Sequence, residues 1–116
     1  MITINSLKEM KKYYDKQTNT YIFDDDVKFY INIEVESNIK AFDIDAYNIE
    51  AWDINARDIN ARDINACNIK VLDINAQDIN YFAYCIAYYS FKCKLAKNRR
   101  INSICKCLDK EIEYIK

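Results

Sequence analysis

From Phe42 the chain repeats every five residues: FDIDA, YNIEA, WDINA, RDINA, RDINA, CNIKV, LDINA, QDINY. Isoleucine recurs without a miss as Ile44, Ile49, Ile54, Ile59, Ile64, Ile69, Ile74 and Ile79, with Ile39 in phase before them. Asp or Asn precedes each of these, and Ala (once Val, once Tyr) follows by two. A helix advancing about 100° per residue turns successive Ile by roughly 140°, which smears them around its surface. On a flat strand five is odd, so successive Ile would face opposite sides. A single Ile-lined interior therefore needs a corner every five residues. Four such sides close a square coil of about 20 residues, and coils of this kind stack at roughly 4.8 Å into a solenoid.

The stretch from about Ile39 to Asn80 resembles the pentapeptide-repeat proteins, whose fold is a right-handed quadrilateral β-helix. Their motif runs small residue, Asp/Asn, Leu/Phe, then two variable positions. Here the position expected to be small holds Phe42, Tyr47, Trp52, Arg57, Arg62, Cys67, Leu72 and Gln77. Ile and Ala share the inward face instead. The resemblance implies a mainly β chain with about 2.5–3 coils. The expected organisation is an N-terminal cap over 1–36, a repeat body over 37–97 and a basic C-terminal segment and cap over 98–116. The cap reads as a helix over about 6–16, opened by the capping box Ser6–Glu9. Strands follow over about 21–23 and 27–35. After Asn80 the coil continues with a fatter filling, Tyr81, Ile86 and Phe91 occupying the former Ala column. The tail reads better as short strands than as a helix.

Composition excludes most catalytic chemistry. The 116 residues include no Gly, no Pro and no His. That removes Walker loops, dinucleotide fingerprints, His-based triads and His metal sites. Thiol chemistry at Cys67, Cys93 or Cys105 is the one enzymatic route left, and the chain reads as a non-enzyme without a cofactor. The spacing of Cys85, Cys93, Cys105 and Cys107 matches no zinc pattern, and Asp24-Asp25-Asp26 lacks the spacing of a calcium loop, so no metal is expected. No apolar run spans a bilayer and no signal peptide is visible. The expectation is a cytoplasmic protein with free thiols and no membrane contact.

Charge is segregated. Residues 41–81 carry 3 basic and 8 acidic groups, and residues 82–116 carry 8 and 3. The basic patch is Lys92, Lys94, Lys97, Arg99 and Arg100. The acidic column is Asp43, Asp53, Asp58, Asp63, Asp73 and Asp78. Two readings of that column stay open. Asp and Asn tolerate the unusual φ that corners without Gly would need, or the stacked carboxylates imitate nucleic-acid phosphate. Stacking by 20 would place Asp43 over Asp63, Asp53 over Asp73 and Asp58 over Asp78. It would also gather Tyr47, Trp52, Cys67 and Leu72 on adjacent sides, flanked by Arg57 and Arg62. Such a patch expects either a protein partner, including a second copy of the chain, or the N-terminal helix lying over it. The expected function is a homodimeric, non-enzymatic protein-binding module acting by surface mimicry. The resemblance to DNA-mimicking members that occupy DNA gyrase motivates this. A phage or mobile-element inhibitor of a host defence complex such as a CRISPR effector is one variant. Direct nucleic-acid binding through the basic segment, with Tyr84, Tyr88 and Tyr89 as stacking platforms, is the alternative.

Overall fold

The computed structural model describes residues 1–98 and 103–115. Each regular pentad supplies a three-residue side and a two-residue corner. Asp43–Asp45, Asn48–Glu50, Asp53–Asn55 and Asp58–Asn60 are such sides. Alternation along a strand turns the central Ile opposite to its two neighbours. Every Ile from Ile39 to Ile79 in the repeat is at most 2% exposed. The corner Ala is tucked in as well. Its N–H donates to the next coil, Ala41 to the Asn55 carbonyl at 3.1 Å and Ala51 to Asn65 at 3.0 Å. The chain is a β-solenoid, mainly strand, with one short N-terminal helix.

The strand register gives the coil three sides, which corrects the expected square. Asp43 pairs with Asp58 and Asp58 with Asp73, a step of 15 residues or three pentads. Asn48 pairs with Asp63 and Asp53 with Asn68 at the same step. Five divides both 15 and 20, so the period sets the length of a side and leaves the number of sides open. The first face carries the column Tyr21, Ile39, Ile54, Ile69, Cys85 and Cys105. The second carries Val27, Ile44, Ile59, Ile74 and Phe91. The third carries Ile33, Ile49, Ile64, Ile79 and Ala96. With six rungs on the first face and five on the third, the chain makes about five coils, more than the 2.5–3 expected, because each coil is shorter and because residues 20–36 also join the solenoid.

Irregular coils close both ends. Toward the N-terminus the steps lengthen to 18, 17 and 16, as Tyr21 pairs with Ile39, Val27 with Ile44 and Ile33 with Ile49. Residues 20–36 thus already form a coil. The expected strand over 27–35 is two pieces, Val27–Phe29 and Ile33–Glu34. Toward the C-terminus the steps lengthen again, with Ile74 on Phe91 and Cys85 on Cys105. Two register shifts separate the large residues expected in one column. Tyr81 follows Ala66, Phe91 follows Ile74, and Ile86 lies beside Lys70 on the outer side. The described tail forms the strands Ile104–Cys107 and Glu113–Tyr114.

The helix spans only Leu7–Met10, followed by a 3₁₀ turn over Lys11–Tyr13. Ser6 Oγ accepts from the Glu9 N–H at 3.2 Å, and Glu9 Oε2 accepts from the Asn5 N–H at 3.0 Å. The expected helix to about 16 stops early because Tyr14 pairs antiparallel with Tyr21. The turn between them uses Asn19 at φ 52°, the one positive φ among the described residues. Every described corner of the body therefore turns without left-handed backbone, and glycine is not needed there. The Asp/Asn column is not a set of strained corners. Met10 and Phe23 plug the N-terminal end of the core, with Tyr13 against Phe23 at 4.8 Å between ring centroids. No helix is long and apolar enough to cross a membrane among the described residues.

Ile59 sits at mid-height on the second face, between Ile44 and Ile74. Ile59→Ala is expected to lower unfolding stability by about 3 kcal/mol, because coils above and below limit collapse of the cavity. Urea denaturation followed by circular dichroism checks this.

Candidate functional surface

A step of 15 sorts the Asp/Asn column into three ladders of different chemistry. The first face stacks Asn38, Asp53 and Asn68. Neutral amides alternate with one carboxylate there. Asn38 Oδ1 accepts from the Asp53 N–H at 3.2 Å, and Asn68 Nδ2 donates to Asp53 Oδ1 at 2.8 Å. The third face stacks Asn48, Asp63 and Asp78. Only the second face stacks carboxylates throughout its repeat body: Asp43, Asp58 and Asp73. Asp26 extends the row below, its Oδ1 accepting from the Asp43 N–H at 3.2 Å. Ser90 ends it above, donating its hydroxyl to Asp73 Oδ1 at 2.7 Å. The expected stacks of Asp43 on Asp63, Asp53 on Asp73 and Asp58 on Asp78 do not form, because those pairs lie on different faces of a triangular coil.

The second face is a shallow groove of about 540 Å³ lined by Asp43, Asp58 and Asp73, with Asp45 and Asn60 on its far rim. Lys92 and Lys110 stand at its C-terminal end. Arg57 flanks the row. Its Nη2 is 3.4 Å from Asp43 Oδ1 and 3.9 Å from Asp26 Oδ1. The same guanidinium stacks 5.3 Å from the Phe42 ring centroid. These contacts are solvent-exposed, so each is worth about 0–1 kcal/mol. They compensate the middle of the row only in part. Asp58 shows the consequence. Partial loss of solvent, a hydrogen bond shared with Asp73 and the charges of Asp43 and Asp73 push its carboxyl up to about 6, with Arg57 opposing.

The variable column is dispersed over three corners. Trp52 and Cys67 share one, with Ser37 below and Phe82 above: Trp52 N–H donates to the Ser37 carbonyl and Cys67 N–H to Trp52. Phe42, Arg57 and Leu72 share the second through the same kind of backbone bonds. Tyr47, Arg62 and Gln77 share the third. There Arg62 stacks on Tyr47, 5.1 Å from the ring centroid, and donates Nη1–H to the Tyr47 hydroxyl. The expected joint patch of Tyr47, Trp52 and Leu72 is therefore not assembled. Leu72 is half-buried, while Trp52 keeps about half of its surface exposed at 47%. The N-terminal helix does not cover them, since it packs on the strand Ile2–Ile4 and its own 3₁₀ turn. The basic residues wind around the final full coil. Lys92 lies on the second face beside Asn75, Lys94 at the following corner above Gln77, and Lys97 on the third face beside Asn80. Arg99 and Arg100 lie outside the described residues.

Sequence reasoning named all three carboxylates of the acidic row. It missed Asp26 and Ser90, because both sit in irregular coils where the pentad phase is lost. Asp24-Asp25-Asp26 divides its roles: Asp26 joins the row, and Asp25 accepts its neighbour's N–H at 2.7 Å. No group of three or more Cys, Asp or Glu residues suits a metal ion among the described residues. No family model matches the chain, and no curated protein or solved structure is significantly similar to it.

A carboxyl raised to about 6 holds its proton in the folded protein at pH values where the unfolded chain, near its ordinary 3.8, has lost it. Its stabilising contribution is full below pH 4 and is lost as pH rises through 6. Asp58→Asn is expected to flatten this part of the stability profile. It should also raise stability at pH 7.5 by about 1 kcal/mol after discounting for solvent screening. Thermal melts of both proteins from pH 4 to 8 check the sign.

Proposed function

We propose that the chain is a non-enzymatic binding module that presents its second face to a cationic, nucleic-acid-handling protein. The observation that carries this reading is the row Asp26, Asp43, Asp58 and Asp73, unbroken by any amide and flanked by one arginine, Arg57, among the described residues. Rungs of a β-solenoid rise by about 4.8 Å, and a nucleic-acid strand carries one charge per roughly 3.4 Å of axis. The two charge rows thus have similar linear density. A rigid row also loses little entropy on binding, unlike an acidic tail. The raised Asp58 carboxyl, pushed up by partial burial, its hydrogen bond with Asp73 and the charges of Asp43 and Asp73, supports the reading because the core does not require carboxylates stacked there. The neighbouring repeats use Asn in the equivalent place without harm to the coil.

A pentapeptide-repeat-like ancestry and an inhibitory role against a DNA- or RNA-handling complex belong to this proposal. DNA gyrase is the partner type that the sequence resemblance supplies, and a host defence complex such as a CRISPR effector is the variant suggested by the compact, cofactor-free composition. Direct nucleic-acid binding is less well supported, since Lys92, Lys94 and Lys97 are spread over two faces and the corner between them. The test combines capture with competition. Immobilised chain should retain a partner that duplex DNA or RNA displaces, and D43N/D58N/D73N should weaken retention by at least about tenfold, one charge-assisted contact being worth about 1.5–3 kcal/mol. Retention indifferent to both the triple substitution and the competitor would refute mimicry. Micromolar gel-shift affinity of the chain for DNA itself would move the assignment to the basic residues.

A further inference from the structure

The isoleucine column of the first face ends in sulfur. Above Ile39, Ile54 and Ile69 comes Cys85, and Cys105 sits on Cys85 in register across parallel strands. Cys85 is fully buried and Cys105 half-buried. In-register neighbours on adjacent strands lie about 4.8 Å apart, inside the Cα window of roughly 4.4–6.8 Å that a disulfide accepts. Both thiols are free and hydrogen-bonded to each other. The bond from Cys85, opposed by burial and helped by the Tyr81 hydroxyl, brings the Cys105 thiol down to about 7. The same bond and burial push the Cys85 thiol well up. One sulfur is thus a reachable nucleophile and the other a protonated partner stacked directly beneath it. Cys93 is also buried nearby but continues the corner column above Ala76. Cys107 turns its Sγ to the Tyr88 carbonyl at 3.9 Å.

We propose that Cys105 and Cys85 form a peroxide-reactive dithiol whose oxidation staples the last coil to the coil below it. The Cys105 sulfur attacks one oxygen of a hydroperoxide and breaks the O–O bond. The leaving oxygen takes up a proton, departing as water from hydrogen peroxide, and Cys105 becomes a sulfenic acid. Cys85 sulfur then attacks the Cys105 sulfur, closing the S–S bond. The displaced hydroxyl leaves with the Cys85 proton as a second water. Two thiols lose two electrons and two protons, and the peroxide gains both. The half-buried position admits a small oxidant to Cys105, while the register holds the resolving thiol one rung away. A closed bond would fix the end of the solenoid, where the coil steps are longest and the sides least regular. This site does not depend on the acidic face.

The test treats the folded protein with hydrogen peroxide at pH 7, blocks remaining thiols after denaturation, and maps peptides by mass spectrometry. The expected product joins Cys85 to Cys105 through a reductant-sensitive bond, leaving Cys93 and Cys107 alkylated. Yield should fall at least about tenfold when oxidation is done in urea, which removes the register and the hydrogen bond. Cys85→Ala should stop at a sulfenic acid trapped by a cyclic diketone, and Cys93→Ser should keep the link. Because the unsubstituted chain is mapped directly, a variant that fails to fold does not blunt the result. Cys85 and Cys105 both remaining alkylatable, or Cys105 linking to Cys93, Cys107 or another chain, overturns the proposal.

Discussion

Three isoleucines from each regular coil meet on the solenoid axis, and every exposed residue takes its neighbours from that packing. Each buries about 1.5–3 kcal/mol of side-chain transfer free energy, and each fixes a side whose length is one pentad. With three sides, the residue above any position is the one 15 further along. That single number places Arg57 against Phe42 and Asp43 and places Arg62 against Tyr47; the longer final coil sets Cys105 on Cys85 at a step of 20 instead. Had the coil four sides, the same sequence would display other neighbours on every face.

The corners explain an unusual composition. A solenoid that turns every five residues would ordinarily favour glycine, yet none is present. The described corners keep negative φ, and a small Ala folds under most bends (Val71 and Tyr81 take its place at two) while its N–H bonds to the coil above. Asp and Asn are then free to serve the surface. On the first face amides alternate with a carboxylate, and on the third Asn48 sits below Asp63 and Asp78. On the second face the amides are missing from the body of the row, and partial burial, the hydrogen bond with Asp73 and the neighbouring carboxylates together raise the Asp58 carboxyl. The acidic face is therefore a departure from what the coil needs, which is the physical reason to assign it a use.

Much of the fold was legible in the repeat: the inward Ile and Ala, the corner at each pentad, the strand content, the capping box at Ser6 and Glu9, and strands in the described tail. The number of sides was not, since a period of five is silent about closure. Every neighbour relation inferred from a 20-residue step failed with it, including the joint patch of Tyr47, Trp52 and Leu72. The row members Asp43, Asp58 and Asp73 were visible as carboxylates, but their isolation on one face was not. Asp26, Ser90 and the Cys85–Cys105 stack lay beyond reach because the coil length changes at both ends, by amounts that only pairing reveals.

Removing whole coils tests the three-sided packing most directly. Deleting residues 53–67 joins Trp52 to Asn68 and sets Ile69 on Ile39, so all later columns stay on their own faces. Deleting residues 53–72 joins Trp52 to Asp73 and carries each later column, with the irregular final coil, onto the wrong face. The account predicts a cooperative melt and a retained β signature in circular dichroism for the first deletion, and loss of cooperative unfolding for the second. A folded, cooperative protein from the 20-residue deletion, together with collapse of the 15-residue one, would contradict it.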